Sequence, residues 1–321
     1  MQDWGSRLGA RKTTLDLCGW DVLIPFNRLI LSKQFFPEPD EKMESPLRIL
    51  KKHHINPVKR LGQSFLVDNN ITSRIVESSG IGEGDTVVEI GAGLGAMTAM
   101  IAPRVSRIIA LEIDPKLVEV LQSELGEMPN IEIIHTDVLS YDFSSAGEKI
   151  QVIGNIPYNV SSQILFRLIE YRKHIFSATL MIQKEVADRI TASPGTKQYG
   201  IPSVLVSMYA VASRLMTVPA TCFYPVPKVD SAVFRMGMRE EPLYPLGDHR
   251  IFTETVKAAF SMRRKTLANN MKAMDALRSK EVDIPALLAG AGIDGRRRGE
   301  TLTVEEFGRL SEIISRITEP S

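Results

Sequence analysis

The chain has 321 residues, 44% hydrophobic and 24% charged, which is enough for one large domain plus a small one around a substantial core. Its net charge of +1 shows no global pull toward nucleic acid, and two cysteines, Cys18 and Cys222, cannot frame a disulfide scaffold or a zinc site. The five histidines show no ligand spacing, and the one apolar run near the start, residues 22–31, is short and broken by Asn27 and Arg28. Composition therefore points away from metal, membrane and secretion. It suits a cytoplasmic protein, and Asp3, Asp16 and Asp21 argue against a leader peptide.

Residues 1–42 mix Gly, Trp, Pro and scattered charges without periodicity, ahead of a second methionine, Met43. They read as a disordered or spurious extension. From Asp68 an amphipathic helix runs through Ile71, Ile75 and Val76. Residues 87–90 form a β-branched strand that enters Gly91-Ala92-Gly93-Leu94-Gly95, and residues 96–102 continue as a helix. The glycines permit a tight turn and close approach of a ligand to the helix start. Their spacing departs from the dinucleotide fingerprint, since Ala96 stands where its third glycine would fall, and no Gly-Lys-Ser/Thr follows to make a P-loop.

A second strand, residues 107–111, ends in Glu112, about 20 residues past the first glycine, where a carboxylate binds ribose hydroxyls. A third, residues 131–134, runs into His135-Thr136-Asp137, with Asp137 at a strand end where it can accept from an adenine amine. A fourth, residues 150–154, leads into Asn155-Ile156-Pro157-Tyr158-Asn159. A fifth at residues 178–182 precedes a helix at 183–190, and two last strands at 214–218 and 231–235 are joined through a Pro-rich stretch. Seven strands, the first five separated by helices, predict a doubly wound, mostly parallel α/β sheet. Beyond Pro242 the pattern turns helical, at residues 252–260, 265–276 and 284–289. Thr303 and Glu306 then form a capping box that opens a helix to about Ile317.

Asn155 to Tyr158 combine a side-chain amide, a proline carbonyl and an aromatic face. Taken alone they also suit a proline turn after a buried strand. Chemically they suit an exocyclic nucleobase amine, whose lone pair is delocalised into the ring. An amide oxygen and a backbone carbonyl accepting its two N–H bonds favour the attacking geometry, while a ring beneath the base holds it in line. On this reading Tyr158 acts through its ring and its hydroxyl is dispensable. Glycine loop, ribose acid, adenine acid and Asn-Ile-Pro-Tyr, at successive strand ends, form the series of an S-adenosylmethionine site.

From about Asn56 to its end the chain resembles the KsgA-type ribosomal RNA adenine N6-dimethyltransferases. The resemblance rests on Arg60-Leu61-Gly62-Gln63-Ser64-Phe65-Leu66, the glycine loop, Glu112, Asp137 and residues 155–159, and on residues 223–232 and 259–267. It implies a Rossmann-like seven-stranded class I methyltransferase domain at residues 43–241 and a small helical RNA-binding domain at 242–321. S-adenosylmethionine would lie with its methionine end against Ser64 and Leu66. Gly91 and Gly93 would lie beneath it, Glu112 with Ile113 at the ribose and Asp137 with Val138 at the adenine. Asn155 would touch both cofactor and target amine, with Pro157, Tyr158 and Phe223 completing the catalytic set; Phe223 would close the second face of the base. The chain departs from the common family pattern at Ser64, often Asn or His, and at Ala92, often Pro.

The substrate so implied is small-subunit (16S) rRNA in a pre-ribosomal particle, dimethylated at two adjacent adenines of a 3′-terminal hairpin by a monomer. Clusters at Lys51-Lys52-His53-His54, Lys59-Arg60, Arg263-Arg264-Lys265 and Arg296-Arg297-Arg298 flank the proposed active domain. Lys59, Arg60, Arg263, Arg264 and Lys265 are the expected RNA contacts. Two rivals share the scaffold: a large-subunit adenine methyltransferase of the macrolide-resistance type, and a non-catalytic nucleic-acid-binding factor. Residues 227–232 and the segment Arg263-Arg264-Lys265-Thr266-Leu267 favour the small-subunit enzyme over the first. The intact series around Asn155 disfavours the second.

Overall fold

A computed structural model describes residues 44–318, so the expectation for residues 1–42 lies outside the described residues. In chain order the first half comprises α1 (Pro46–Lys52), β1 (Phe65–Leu66), α2 (Asn69–Ser79), β2 (Thr86–Ile90), α3 (Ala96–Ile101), β3 (Arg107–Glu112), α4 (Pro115–Leu125), β4 (Ile131–His135) and β5 (Ile150–Asn155). There follow α5 (Ser161–Glu170), β6 (Ile175–Gln183), α6 (Lys184–Ile190), α7 (Ile201–Tyr209), β7 (Ala210–Val218), β8 (Phe223–Tyr224) and β9 (Ser231–Met238). The chain then continues through α8 (His249–Ala259), α9 (Leu267–Met271), α10 (Asp275–Arg278), α11 (Ile284–Gly290) and α12 (Val304–Thr318).

A seven-stranded sheet of order β4-β3-β2-β5-β6-β9-β7 forms, its central strands aliphatic and buried on both faces and its edge strands β4 and β7 partly exposed. The pairs β3–β4, β2–β3, β2–β5 and β5–β6 are parallel, and β9 runs antiparallel to β6 and β7. The chain builds outward from β2 to β4 and then returns to place β5 on the other side of β2. That reversal leaves a crevice at the carboxyl ends of β2 and β5, the place where open α/β sheets bind ligands.

Local chemistry sets the helix ends. Asp68 caps α2 by accepting from Asn70 and Ile71 N–H at 2.9 and 3.1 Å. Asp114 caps α4 ahead of Pro115. Gly95, at φ +79°, turns the chain into α3 where any Cβ would stand 2.6 Å from Leu125 Cδ1. One apolar cluster joins Ile90, Leu111 and Val152 of the sheet to Phe252, Leu267, Phe307 and Ile314 of the later helices. Another covers the opposite face with Ile75, Met97, Ile101, Ile108, Ile153 and Phe223. The sheet is therefore sandwiched between helical layers.

Three features depart from the sequence expectation. The connection from β4 to β5 is a short 3-10 turn, Phe143–Ala146, rather than a helix. Asp142 caps it, Phe143 is its fully buried anchor and Gly147 ends it at φ +130°. The predicted helix at 265–276 breaks into α9 and α10, where Ala273 and Met274 N–H bond three residues back to Asn270 and Met271, while the buried Asn270 amide ties α9 to the carbonyls of Ala259 and Met262 at 2.7 and 3.2 Å. A separate two-stranded ribbon, β1 with β8, pairs Phe65 with Tyr224 and Leu66 with Phe223. Strands of two residues carry no periodicity to read. The capping box at Thr303 and Glu306 forms as expected: Thr303 N–H meets Glu306 Oε2 at 2.8 Å and Glu306 N–H meets Thr303 Oγ1 at 3.2 Å.

The layer packing buries a carboxyl group. Glu89 of β2 is 1% exposed and accepts from Thr98 Oγ1 of α3 at 2.6 Å. Burial pushes its pKa up to about 8; the Thr98 hydrogen bond opposes this and the Glu112 charge adds to it. Between the unfolded value of 4.5 and about 8, the folded state holds a proton that the unfolded chain has released. Stability contributed by this group is thus complete below 4.5 and falls as pH rises through that window, by at most about 1.4 kcal/mol per pH unit. Glu89→Gln keeps an acceptor for Thr98 and removes the titration. Urea unfolding should show the variant gaining on the parent protein from pH 5 to pH 8, with the gap closing toward acid.

Candidate active site

Four strand ends converge on the crevice. Gly91 and Gly93 take left-handed backbone at φ +69° and +59°, which an L side chain rarely adopts. Their turn is laced to β3. Gly91 and Ala92 N–H donate to the Leu111 carbonyl at 2.9 and 3.1 Å, and Gly93 N–H donates to Glu112 Oε2 at 2.9 Å. The other carboxylate oxygen, Oε1, accepts from Ile113 and Asp114 N–H, each at 2.9 Å. Glu112 is 5% exposed; burial raises its pKa, while the Asp114, Gly93 and Ile113 amides pull it back. A carboxylate offers about four acceptor positions, so three amide bonds leave one for a ligand hydroxyl.

The segment before β1 closes the cleft from the other side. Gln63 bridges it to α4, accepting from Val58 N–H at 2.7 Å and donating to Asp114 Oδ2 at 2.8 Å. Ser64 is held at both ends: its carbonyl accepts from Asn155 Nδ2 at 3.0 Å, and its hydroxyl donates to the Pro225 carbonyl at 2.8 Å. With its amide nitrogen on Ser64, Asn155 keeps its oxygen for an incoming donor. Pro157 and Tyr158 line the same cleft as Ser64, Gly91, Gly93, Glu112, Ile113 and Asn155. An adjoining recess is lined by Leu66, Glu89, Gly91, Gly93 and Asn155.

Other predicted residues lie at varying distance from this centre. Asp137 and Val138 follow β4 at the same sheet edge, tied there by Thr136 N–H to the Glu112 carbonyl at 2.9 Å. Asp137 is exposed and accepts from Leu139 N–H at 2.9 Å, while Val138 packs on the main core. Phe223 differs from its expected place. It is 2% exposed within the core cluster of Ile75 and Met97, because pairing with Leu66 turns its ring inward. The exposed aromatic beside it is Tyr224, at 48%. The Tyr158 hydroxyl is hydrogen-bonded to the Ser231 hydroxyl at 3.1 Å. Sequence reasoning did not single out Gln63, Ser231 or Glu89; the first two stood inside motifs used only for recognition.

Of the basic positions, Lys59 opens a 3-10 turn, Lys59–Leu61, next to the cleft-lining Gly62, and Arg60 is exposed. Arg263, Arg264 and Lys265 are all exposed, and Arg263 pairs with Glu300 at 2.8 Å and donates to the Lys197 carbonyl. Arg296 pairs with Asp294 at 2.9 Å and Arg297 with Glu306 at 2.5 Å. Lys52 and His53 both hold Glu124, at 2.8 and 2.6 Å, and keep its carboxyl below the usual range. Among the described residues no His, Cys, Asp and Glu group could hold a metal ion, and no helix is long and apolar enough to cross a membrane.

The lining itself discriminates between nucleotide ligands. Glu112 and Glu89 contribute carboxyl groups to the paired recesses, and the residues lining them include no lysine or arginine. Glu89 holds its proton near neutral pH, so the discrimination comes from the lack of cationic lining, which gives a phosphate nothing to grip and leaves room for a cationic nucleoside such as a sulfonium. Glycine backbone at the turn and one acceptor position on Glu112 match a ribose lying across the loop. The residues present therefore fit S-adenosylmethionine.

Comparison with known proteins agrees with this geometry. The family described as ribosomal RNA adenine dimethylase matches residues 55–314. The chain is 50% identical over 273 residues to ribosomal RNA small subunit methyltransferase A of Syntrophus aciditrophicus, covering 84% of this chain and 98% of that protein. The protein of the same name from Shouchella clausii is 45% identical over 273 residues, covering 83% and 92%. Among solved structures, a dimethyladenosine transferase from Plasmodium falciparum aligns with a TM-score of 0.67 at 25% identity, over 76% of this chain and 94% of that one. The 23S rRNA methyltransferase ErmE aligns with a TM-score of 0.59 at 28% identity, over 78% and 99%. The chain belongs to the ribosomal RNA adenine dimethylase family.

Proposed function

We propose that the protein transfers methyl groups from S-adenosylmethionine to N6 of two adjacent adenines in a 3′-terminal hairpin of small-subunit (16S) rRNA, giving N6,N6-dimethyladenosines during ribosome biogenesis. One observation carries this reading. Asn155 has its amide nitrogen on the Ser64 carbonyl at 3.0 Å, in a cleft that Pro157 and Tyr158 also line. An acceptor oxygen, a second carbonyl and a ring are thereby grouped where a planar amine needs all three.

When bound, S-adenosylmethionine supplies a methyl group already activated by its sulfonium. No strong base is then required, and the protein's work is positioning. Ser64, Leu66, Gly91, Gly93, Glu112 and Ile113 would hold the cofactor, with Asp137 and Val138 beyond the ribose. Asn155 Oδ1 and the Pro157 carbonyl would accept the two N–H bonds of the adenine amine. The Pro157 carbonyl already accepts from Val160 N–H at 3.3 Å, and its second lone pair serves the amine. Tyr158 would stack on the base after it leaves its helix. The methylated amine, cationic once the methyl is transferred, would release its proton to solvent.

Residues 43–241 would form the transferase domain and residues 242–321 a helical region that clasps RNA. Lys59, Arg60, Arg264 and Lys265 would meet phosphates. The particle would be a cytoplasmic pre-ribosomal intermediate and the enzyme a monomer. The likeness to ErmE supports a second reading, methylation of large-subunit rRNA. The higher identity to small-subunit enzymes favours the first. Mass spectrometry of rRNA from a deletion strain separates them: dimethyladenosine should vanish from the small subunit, and loss from the large subunit instead would reverse the assignment.

Binding and chemistry should part on substitution. Glu112→Ala removes a ribose partner together with the clamp on three loop amides, so cofactor affinity should fall at least tenfold, roughly the worth of one charged hydrogen bond. Asn155→Ala should weaken cofactor binding less than Glu112→Ala does, and at saturating cofactor it should slow single-turnover methylation by roughly 10²-fold. Calorimetry and rapid-quench assays read the two effects separately.

Salt dependence should grade the basic residues. Arg264→Ala and Lys265→Ala should each lower the slope of log affinity for RNA against log salt by about one unit. Arg263→Ala should change it less, because Glu300 already neutralises that guanidinium at 2.8 Å. Filter binding across a salt series measures all three.

A further inference from the structure

The motif Asp230-Ser231 closes the proline-rich stretch and opens β9, yet nothing in the reaction above employs it. Asp230 is held through both its backbone and its side chain. Lys184 N–H donates to the Asp230 carbonyl at 3.0 Å, and Ala220 N–H donates to Asp230 Oδ1 at 3.0 Å. Ser231 is in register with Gln183 of β6 and Val218 of β7, at the middle of three strands, and is fully buried. Its hydroxyl meets the Tyr158 hydroxyl at 3.1 Å, and either oxygen can donate.

Tyr158 leaves the sheet on a short loop, so its ring orientation is not set by strand pairing. Pro157 fixes backbone φ just before it. A phenol ring has two torsions, and holding its far oxygen removes most of the swing that remains. We infer that Ser231 is a positioning residue for adenine capture: its buried hydroxyl holds the tip of Tyr158 and so sets the plane on which the base stacks. The inference rests on the methyl-transfer reading above and gives the phenolic oxygen a role there. Ser231 touches neither base nor cofactor and acts through Tyr158. Only the carbon face of the ring meets the adenine, and the oxygen points the other way, into the end of the antiparallel strands.

A double-mutant cycle tests this with Tyr158→Phe, Ser231→Ala and the pair. Each single change removes one end of the same hydrogen bond and should slow single-turnover transfer by roughly 3- to 10-fold at saturating cofactor and RNA. The pair should be no slower than the slower single variant, and cofactor affinity should be unchanged throughout. Effects that multiply in the pair would overturn the inference. Tyr158→Phe deletes one oxygen from a side chain that is only part-buried, so it tests the anchor even where Ser231→Ala folds poorly.

A second readout needs no RNA. In protein carrying ¹³C-labelled tyrosine rings, the Tyr158 signal is identified by its loss in Tyr158→Phe. It should shift and sharpen in Ser231→Ala as the ring gains motion. An unmoved signal overturns the anchor itself. A signal that responds in a protein whose unaltered form methylates no rRNA overturns the reaction, and the positioning role with it.

Discussion

Gly93 N–H reaches Glu112 Oε2 at 2.9 Å, and most of the cleft depends on that contact. It joins the loop after β2 to the last residue of β3, two neighbours in a parallel register that pairs Ile90 with Leu111. A parallel pair brings both strand ends to one edge, which is why a glycine loop and a carboxylate 19 residues apart can meet. The loop must adopt left-handed backbone to aim its amide, and the carboxylate must be nearly buried to be worth aiming at. Burial would normally expel the charge. Three amide donors offset that cost and hold the group in one orientation.

A second set of contacts joins distant parts of the chain across the cleft mouth. Asn155 lies 91 residues from Ser64, and Ser64 lies 161 from Pro225. One serine, through its carbonyl and its hydroxyl, therefore ties the end of β5 to the turn after β8. The β1–β8 ribbon makes this possible by holding residues 65–66 against 223–224. Asn155 thus has its donor end occupied before any substrate arrives. Its acceptor end is thereby pre-oriented, so an arriving donor meets an oxygen already in place.

Charge is arranged with similar economy. The chain is nearly neutral, and several of its basic runs are internally balanced: Lys52 and His53 on Glu124, Arg296 on Asp294, Arg297 on Glu306. Exposed pairs of this kind contribute little to stability. Their consequence is selective, since a paired guanidinium attracts phosphate less than an unpaired one. Among the described residues, the basic surface left unbalanced is smaller than a count of lysines and arginines suggests.

The amino-acid sequence by itself determined the strands and most helices that build the sheet, because each carries its own hydrophobic period, cap or breaker. It also marked Gly91, Gly93, Glu112 and Asn155, whose chemistry is tied to their position at strand ends. Tertiary structure alone decided contacts between residues far apart in the chain. Phe223 reads as the second face of the base pocket until pairing with Leu66 turns it into the core. The Tyr158 hydroxyl reads as idle until β9 brings Ser231 to it. Arg263 reads as an unpaired cation until folding sets Glu300 beside it. Periodicity and local spacing report which face of an element is apolar. They carry no information about which distant side chain will stand opposite, and that is settled only when the strands are in register.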